Sequence, residues 1–292
     1  MNQICASTKK TRGLAKATQD LRTAILAMIS DGYIEPPFTV RQAFYRLTTR
    51  YAVEKSEAGY RRVQRELLRL RREGDVPYRH IADNTRIMRK IDSYNGLADV
   101  LEETAIFYRQ AFWRKLNAHV EIWCEKDALA GVILPETVRY DVPLFCARGY
   151  SSETYAYNAA QEMRAIGKPS YVYYLGDFDP SGWDMANNLE QKLKSFHPGV
   201  CFERIAVNPN QILDMGLPSR PTKKTDTRHK KFVEQFGANA VSVELDAIDP
   251  ATLRNMVRQK IESHIPPGHI EDIELEEKAA RESLRQLSSM IQ

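Results

Sequence analysis

The chain of 292 residues combines 43% hydrophobic with 27% charged residues. This is ordinary globular usage, which excludes a disordered, collagen-like or low-complexity chain and favours two modest domains. The net charge of +4 hides an asymmetry: residues 1–90 carry 19 Lys and Arg against 9 Asp and Glu, and residues 91–292 carry 23 against 29.

A basic third joined to an acidic remainder is the pattern of a polyanion-binding unit beside a unit that uses carboxylates. No apolar run approaches the ~18 residues of a spanning helix, and the first twelve residues lack a signal-peptide core. The expectation is a soluble, cytoplasmic protein with no membrane partner. Cys5, Cys124, Cys146 and Cys201 are widely spaced without a C-x-x-C pair, which disfavours a disulfide framework and a cysteine zinc site.

In chain order, Leu14, Ala17, Leu21, Ile25 and Met28 recur every three or four positions and predict a helix over 13–33, stopped by Pro36 and Pro37. A second helix is predicted from Thr39 as N-cap through VRQAFYRLTTRY, and a third from Ser56 to Gly74. The stretch VPYRHIADNTR reads as a short hairpin with Asp83 and Asn84 in its turn. Helix, helix, hairpin is the order expected of a winged helix-turn-helix.

The acidic remainder alternates. Strands are predicted at 119–124, 142–147, 170–176 and 200–207, separated by helical stretches, which argues for an α/β fold with a parallel sheet flanked by helices. A Pro- and Lys-rich loop, LPSRPTKKTDTRHKK, then precedes helices at 250–263 and 271–290. The division expected is 1–95 for the basic unit and 96–292 for the α/β unit with its C-terminal helical extension.

Three features bear on chemistry. On the third helix Tyr60, Val63, Leu67 and Leu70 form an apolar stripe, while Arg61, Arg62, Arg65, Arg69 and Arg72 fall between roughly 160° and 260° from Val63. That face is either a solvated surface or a DNA-contacting one, and its near-uniform sign favours DNA. On the second helix Tyr45 and Arg41 share a polar flank, the arrangement of an ordinary surface or interface tyrosine or of a nucleophile beside a phosphate-binding cation. Glu125 follows the first strand, and Asp177 and Asp179 follow the third. Ligands of open parallel sheets bind at such strand ends, so the acids read as a Mg²⁺ or Mn²⁺ site or, for the D-x-D pair, as a loop or helix cap.

No G-x-x-x-x-G-K-[ST] or G-x-G-x-x-G occurs, and His264 and His269 are separated by Pro266 and Pro267, wrong for helical zinc ligands. The basic loop residues Lys223, Lys224, Arg228, Lys230 and Lys231 fit a solvated loop or a further DNA contact.

Three segments together resemble one family. TVRQAFYRL is similar to the tyrosine motif of the topoisomerase VI A subunit and the meiotic double-strand-break protein, where an Arg precedes the catalytic Tyr by four positions. EKDAL and GDFDPSGWDM resemble the two acidic motifs of that family's Toprim domain, and ARGYSSETYAY its intervening Gly-Tyr element. The resemblance spans roughly residues 35–265, with a winged helix first and Toprim second.

It implies Tyr45 as nucleophile, Arg41 on the attacked phosphate, and Glu125, Asp177 and Asp179 on Mg²⁺ or Mn²⁺, Glu125 also serving in proton transfer. It further implies a homodimer that breaks both strands of double-stranded DNA, the tyrosine of one copy meeting the metal of the other. Gln42 replaces the acid common after the Arg, the chain is shorter than A subunits, and topoisomerase turnover would require a separate ATPase subunit. The leading expectation is therefore a topoisomerase VI A-like (type IIB) DNA-cleaving enzyme. The alternatives are a hydrolytic Toprim nuclease, for instance in defence against foreign DNA, and a non-catalytic DNA-binding subunit.

Overall fold

The computed structural model describes residues 16–50, 53–82, 93–147 and 149–291. Three helices open it: α1 (Lys16–Ser30), α2 (Val40–Arg50) and α3 (Glu57–Glu73). Thr39 Oγ1 accepts the Gln42 N–H at 3.1 Å, while Gln42 Oε1 accepts the Thr39 N–H at 2.9 Å. This reciprocal cap satisfies donors that the first turn of α2 cannot pair internally, and it gives Gln42 a local task. Ser56 caps α3 through the Gly59 N–H, and Gly74 ends it in the left-handed region. Gly59 has no substitute, since a Cβ there would lie 2.2 Å from the Glu54 carbonyl oxygen. Leu21, Ile25 and Met28, Ala43, Phe44 and Leu47, and Val63, Leu67 and Leu70 interlock in one core. Burial of such side chains, about 1.5–3 kcal/mol each, holds together helices too short to persist alone.

The expected hairpin does not begin at Val76. Pro77, with φ of −58°, opens a 3₁₀ turn at Tyr78–His80, and Ile81 makes an isolated parallel bridge to Phe38. A proline cannot donate to a ladder, so the turn wins. Asp83 and Asn84 lie outside the described residues. Among those described, this unit is three helices and one bridge.

The remainder is α/β. After α4 (Leu97–Phe107) come β1 (His119–Cys124), α5 (Asp127–Arg139), β2 (Leu144–Cys146), α6 (Glu153–Ile166), β3 (Ser170–Leu175), α7 (Pro180–Phe196) and β4 (Cys201–Ala206). The four strands are parallel in the order β2-β1-β3-β4, as the strand–helix alternation predicts. Side chains alternate across the pleat. Val120, Ile122 and Cys124 pack with Leu129 and Val132 on one face, while Trp123, Val172 and Tyr174 pack with Ala156, Met163 and Leu189 on the other. Because β1 lies inside the sheet, its carboxyl end is adjacent to that of β3.

The chain then runs through α8 (Pro209–Asp214), β5 (Arg220–Pro221), α9 (His229–Phe236), β6 (Val241–Ser242), α10 (Pro250–Glu262) and α11 (His269–Ile291). The Lys-rich loop is therefore partly ordered, with β5 antiparallel to β6. Val243 and Phe178 exchange two backbone hydrogen bonds of 2.8 Å, which pins residues 243–246 across the carboxyl end of β3. Helix α10 lies on α5, and α11 runs along α4. Among the described residues no helix is long and apolar enough to cross a membrane.

Candidate functional site

The ends of β1 and β3 bring the predicted acids to one turn. Glu125 Oε2 accepts the Asp177 N–H at 2.9 Å. A Cβ on Gly176 or Gly182 would approach that oxygen to 2.5 or 3.1 Å, so both glycines let the carboxylate lie against backbone. Asp179 is the N-cap of α7 and accepts the Gly182 N–H at 2.8 Å, so the helix-cap reading of the D-x-D pair applies to its second member. Asp177 turns the other way: its Oδ1 accepts the Leu245 N–H at 2.7 Å and meets Lys126 Nζ at 2.8 Å.

Burial and the Asp177 charge push Glu125 up to about 7, against the Asp177 N–H, Lys126 and Arg204. Asp177 is raised as well, by burial. Among the described residues no three Asp, Glu, His or Cys side chains already form a cation cage. By donor chemistry the turn nevertheless fits a hard divalent cation. It offers three carboxylates, of which Glu125 is held above its ordinary value by burial and the Asp177 charge, and Asp177 by burial against Lys126, effects that a cation would offset.

Four further charged residues build the site, and sequence reasoning gave none of them a role. Lys126 Nζ lies 2.7 Å from Asp246 Oδ2 and 3.7 Å from Glu244 Oε2, besides its contact with Asp177. Burial alone would lower its ammonium, but Asp246, Asp177 and Glu244 outweigh burial and hold it charged. Arg204, on β4, donates Nη2 to the Gly176 carbonyl at 2.8 Å and to that of Asp177, and Nη1 to that of Gly182 at 3.4 Å. Its guanidinium lies 5.0 Å from the Trp183 ring. It therefore clamps the turn that carries the acids. Its one sequence signal was an arginine following Glu203 within the predicted strand CFERIA.

The basic unit docks here. Thr39 Oγ1 donates to Asp246 at 3.2 Å, Arg41 Nη1 meets Glu244 Oε2 at 3.1 Å, and Arg46 meets Asp249 at 2.7 Å. Arg254 reaches back to Glu35 at 3.2 Å. Between the units lies a cleft of about 590 Å³ lined by Arg41, Tyr60, Lys126, Asp177, Glu244 and Asp246. The Arg41 guanidinium stands 4.7 Å from the Tyr60 ring centroid.

Tyr45 departs from expectation. It is 7% exposed, not a surface residue. The flank that is polar on an isolated helix is covered by residues 215–221 and 244–249, which line the cavities on either side of the ring. Burial, then the Glu244 charge, pushes its phenol up to about 12, against Arg41, Lys126 and Arg220. Nor is Tyr45 remote from the second unit of its own chain, as the division into a basic and an acidic unit had suggested, because the docking sets it beside Glu244.

The arginine face of α3 is where the wheel puts it: Arg61, Arg62, Arg65, Arg69 and Arg72 are all exposed. Glu66 is instead buried, accepting from Arg22 at 3.0 Å and Arg69 at 2.9 Å. Arg61 pairs with Glu57 at 3.3 Å. No family model matches the chain, and no curated protein matches it significantly.

Proposed function

We propose that this chain cleaves double-stranded DNA in the manner of a topoisomerase VI A subunit, by metal-dependent transesterification onto Tyr45, as a homodimer in which each copy breaks one strand. The observation that carries the reading is the docking of α2 on the carboxyl ends of β1 and β3, which sets Arg41 and Tyr45 beside the Lys126, Asp177, Glu244 and Asp246 network. The exposed arginines of α3 would hold the duplex through its phosphates. Arg41 would neutralise the attacked phosphate. The Tyr45 oxygen would bond to phosphorus as the bond to the sugar oxygen breaks, exchanging one phosphodiester for another without ATP or water. The phenolic proton would pass through the carboxylates of the acidic turn to the departing sugar oxygen, Glu125 being the one the resemblance gives that role. Glu125, Asp177 and Asp179 are the residues that would hold Mg²⁺ or Mn²⁺, whose charge would offset that developing on the phosphate. Strand passage would require a separate ATPase subunit.

One observation favours a second reading. With Tyr45 buried and its phenol pushed up to about 12, water could be the nucleophile, making the protein a hydrolytic nuclease with the same acids. Supercoiled plasmid incubated with Mg²⁺ or Mn²⁺ and stopped with SDS, with and without protease, separates them. Transesterification leaves protein on the DNA ends, and Tyr45→Phe abolishes both adduct and cleavage. Cleavage that survives Tyr45→Phe establishes hydrolysis, and no cleavage at all leaves a DNA-binding subunit.

A further inference from the structure

The second cavity beside Tyr45, of about 290 Å³, is distinct from the acidic turn and is lined by Arg41, Tyr45, Lys55, Tyr60, Arg220 and Glu244 among others. Its geometry is that of an anion site with an anion already in it. Glu244 Oε2 lies 3.1 Å from Arg41 Nη1, and Glu244 Oε1 lies 3.1 Å from Arg220 Nη1. One carboxylate thus bridges two guanidinium groups, one from α2 and one from β5. A third cation, Lys55, places Nζ 5.6 Å from the Tyr45 ring centroid and donates to the Ser219 carbonyl at 3.1 Å. The cavity therefore holds three cations against Glu244, with Glu57 at its rim paired to Arg61 at 3.3 Å.

We propose that this cavity is a phosphodiester-binding site, and that Glu244 occupies the place of the phosphate until DNA displaces it. The proposal deepens the reading above by naming Arg220 and Lys55 as phosphate contacts that no motif marks, and Glu244 as their internal competitor. The chemistry follows from shape and charge. A carboxylate and the two non-bridging oxygens of a phosphodiester each present one negative charge over two acceptors, which guanidinium groups bind alike. One carboxylate leaves the trio with surplus positive charge, which a polyanion would satisfy better. Burial, then the neighbouring Arg220, lowers the Lys55 ammonium, against the Glu244 charge. Glu244 has another cation to move towards, since Lys126 Nζ lies 3.7 Å from it on the side of the acidic turn.

The test is duplex binding by the full-length protein in the Tyr45→Phe background, where no adduct can form, read as fluorescence anisotropy of a labelled duplex across a salt series. Glu244→Gln should tighten binding about five-fold or more. Arg220→Ala should weaken it at least three-fold and lower the salt slope by about one. In the Arg220→Ala background, Glu244→Gln should gain less than about two-fold, because the cation it competes for is gone. Glu54→Gln, an equal charge change at an exposed residue beside Lys55, sets the size of a generic effect. Equal gains from Glu54→Gln and Glu244→Gln, or an undiminished Glu244→Gln gain without Arg220, overturn the proposal. Should Glu244→Gln fail to fold by circular dichroism, Arg220→Ala and Lys55→Ala, both at exposed residues, carry the test. Each must weaken binding and reduce the slope, and unchanged affinity in either refutes the site. Failure of the wild-type chain to form an adduct sinks the tyrosine reading but leaves these titrations standing.

Discussion

Arg204→Met tests whether the acidic turn is held by the guanidinium beneath it. Four hydrogen bonds are lost: to the carbonyls of Gly176 at 2.8 Å, Val207 at 3.2 Å, Gly182 at 3.4 Å, and Asp177. Two of these are short bonds from a charged donor, worth about 1.5–3 kcal/mol each. The Gly176 carbonyl keeps a second donor, the Val207 N–H at 2.8 Å, so not every acceptor is orphaned. Loss of the cation also leaves Glu125 and Asp177 with less opposing charge, and both are already raised. Together these set the cost at about 3–5 kcal/mol, the range for breaking a buried charge network from one side. In urea unfolding at pH 7 this should appear as a lowered midpoint, and in thermal unfolding as a fall of roughly 6–15 °C. Arg285→Ala, removing an exposed arginine whose nearest carboxylate is 4.0 Å away, should change stability by less than about 0.5 kcal/mol. A loss at Arg204 below about 1 kcal/mol would show that the turn holds itself.

Two further outcomes are expected. The raised Glu125 carboxyl binds its proton more tightly folded than unfolded, so its contribution to stability is full below its ordinary value and is lost as pH rises through about 7. Without divalent metal, urea midpoints should therefore fall from pH 5 to pH 8 by less in Glu125→Gln than in wild type, and Mg²⁺ should stabilise wild type more at pH 8. Identical slopes in the two proteins would reject the assignment. Replacing Arg61, Arg65 and Arg69 by Ala should reduce the salt slope of duplex binding by roughly three, about 0.9 per lost phosphate contact, while Arg22 keeps Glu66 paired. An unchanged slope would reject α3 as the proposed DNA-contacting surface.

What the sequence made legible was whatever is encoded within one element. Thr39, Ser56 and Gly74 mark helix ends by side-chain and backbone chemistry that acts over three or four residues, and the period of α3 separates core from arginine face without reference to any partner. The inner strands β1 and β3 announce themselves because both sheet faces are covered there, leaving runs such as SYVYYL almost wholly apolar. Tyr45 shows where this stops. A helix wheel sees only its own helix, and the residues that bury Tyr45 lie some two hundred positions later. Glu244 and Asp246 were invisible for a related reason, since β5 and β6 have two residues each and two residues carry no period. Their placement depends on the single bridge between Phe178 and Val243. The acids at 125 and 177 were readable because adjacent parallel strands put their carboxyl ends together whatever the loops do.

Whether one chain or two would supply each proposed cleavage site can be argued on contacts. The case from sequence for a composite of two copies was distance, Tyr45 belonging to the basic unit and the carboxylates to the acidic one. The docked arrangement narrows that separation, because Thr39, Arg41 and Arg46 reach Asp246, Glu244 and Asp249 of their own chain, and Asp246 shares Lys126 with Asp177. If that docking persists on DNA, a heterodimer of Tyr45→Phe with Asp177→Asn contains no complete site: one copy lacks the nucleophile, and the other keeps its tyrosine beside a damaged acidic turn. Mixed and re-annealed, the two inactive proteins should then leave supercoiled plasmid uncut. If the same contacts are instead made between copies, as exchange of an identical element between protomers permits, one of the two sites in the heterodimer has both its tyrosine and its acids. The mixture should in that case nick one strand and leave protein on the nick. Mixing tagged subunits and purifying through both tags ensures that the assayed species is the heterodimer, so an uncut plasmid reports on the site and not on failed exchange. Protein-linked nicks from that species would refute the single-chain site while keeping every contact in the docking surface, now assigned to the partner's helix.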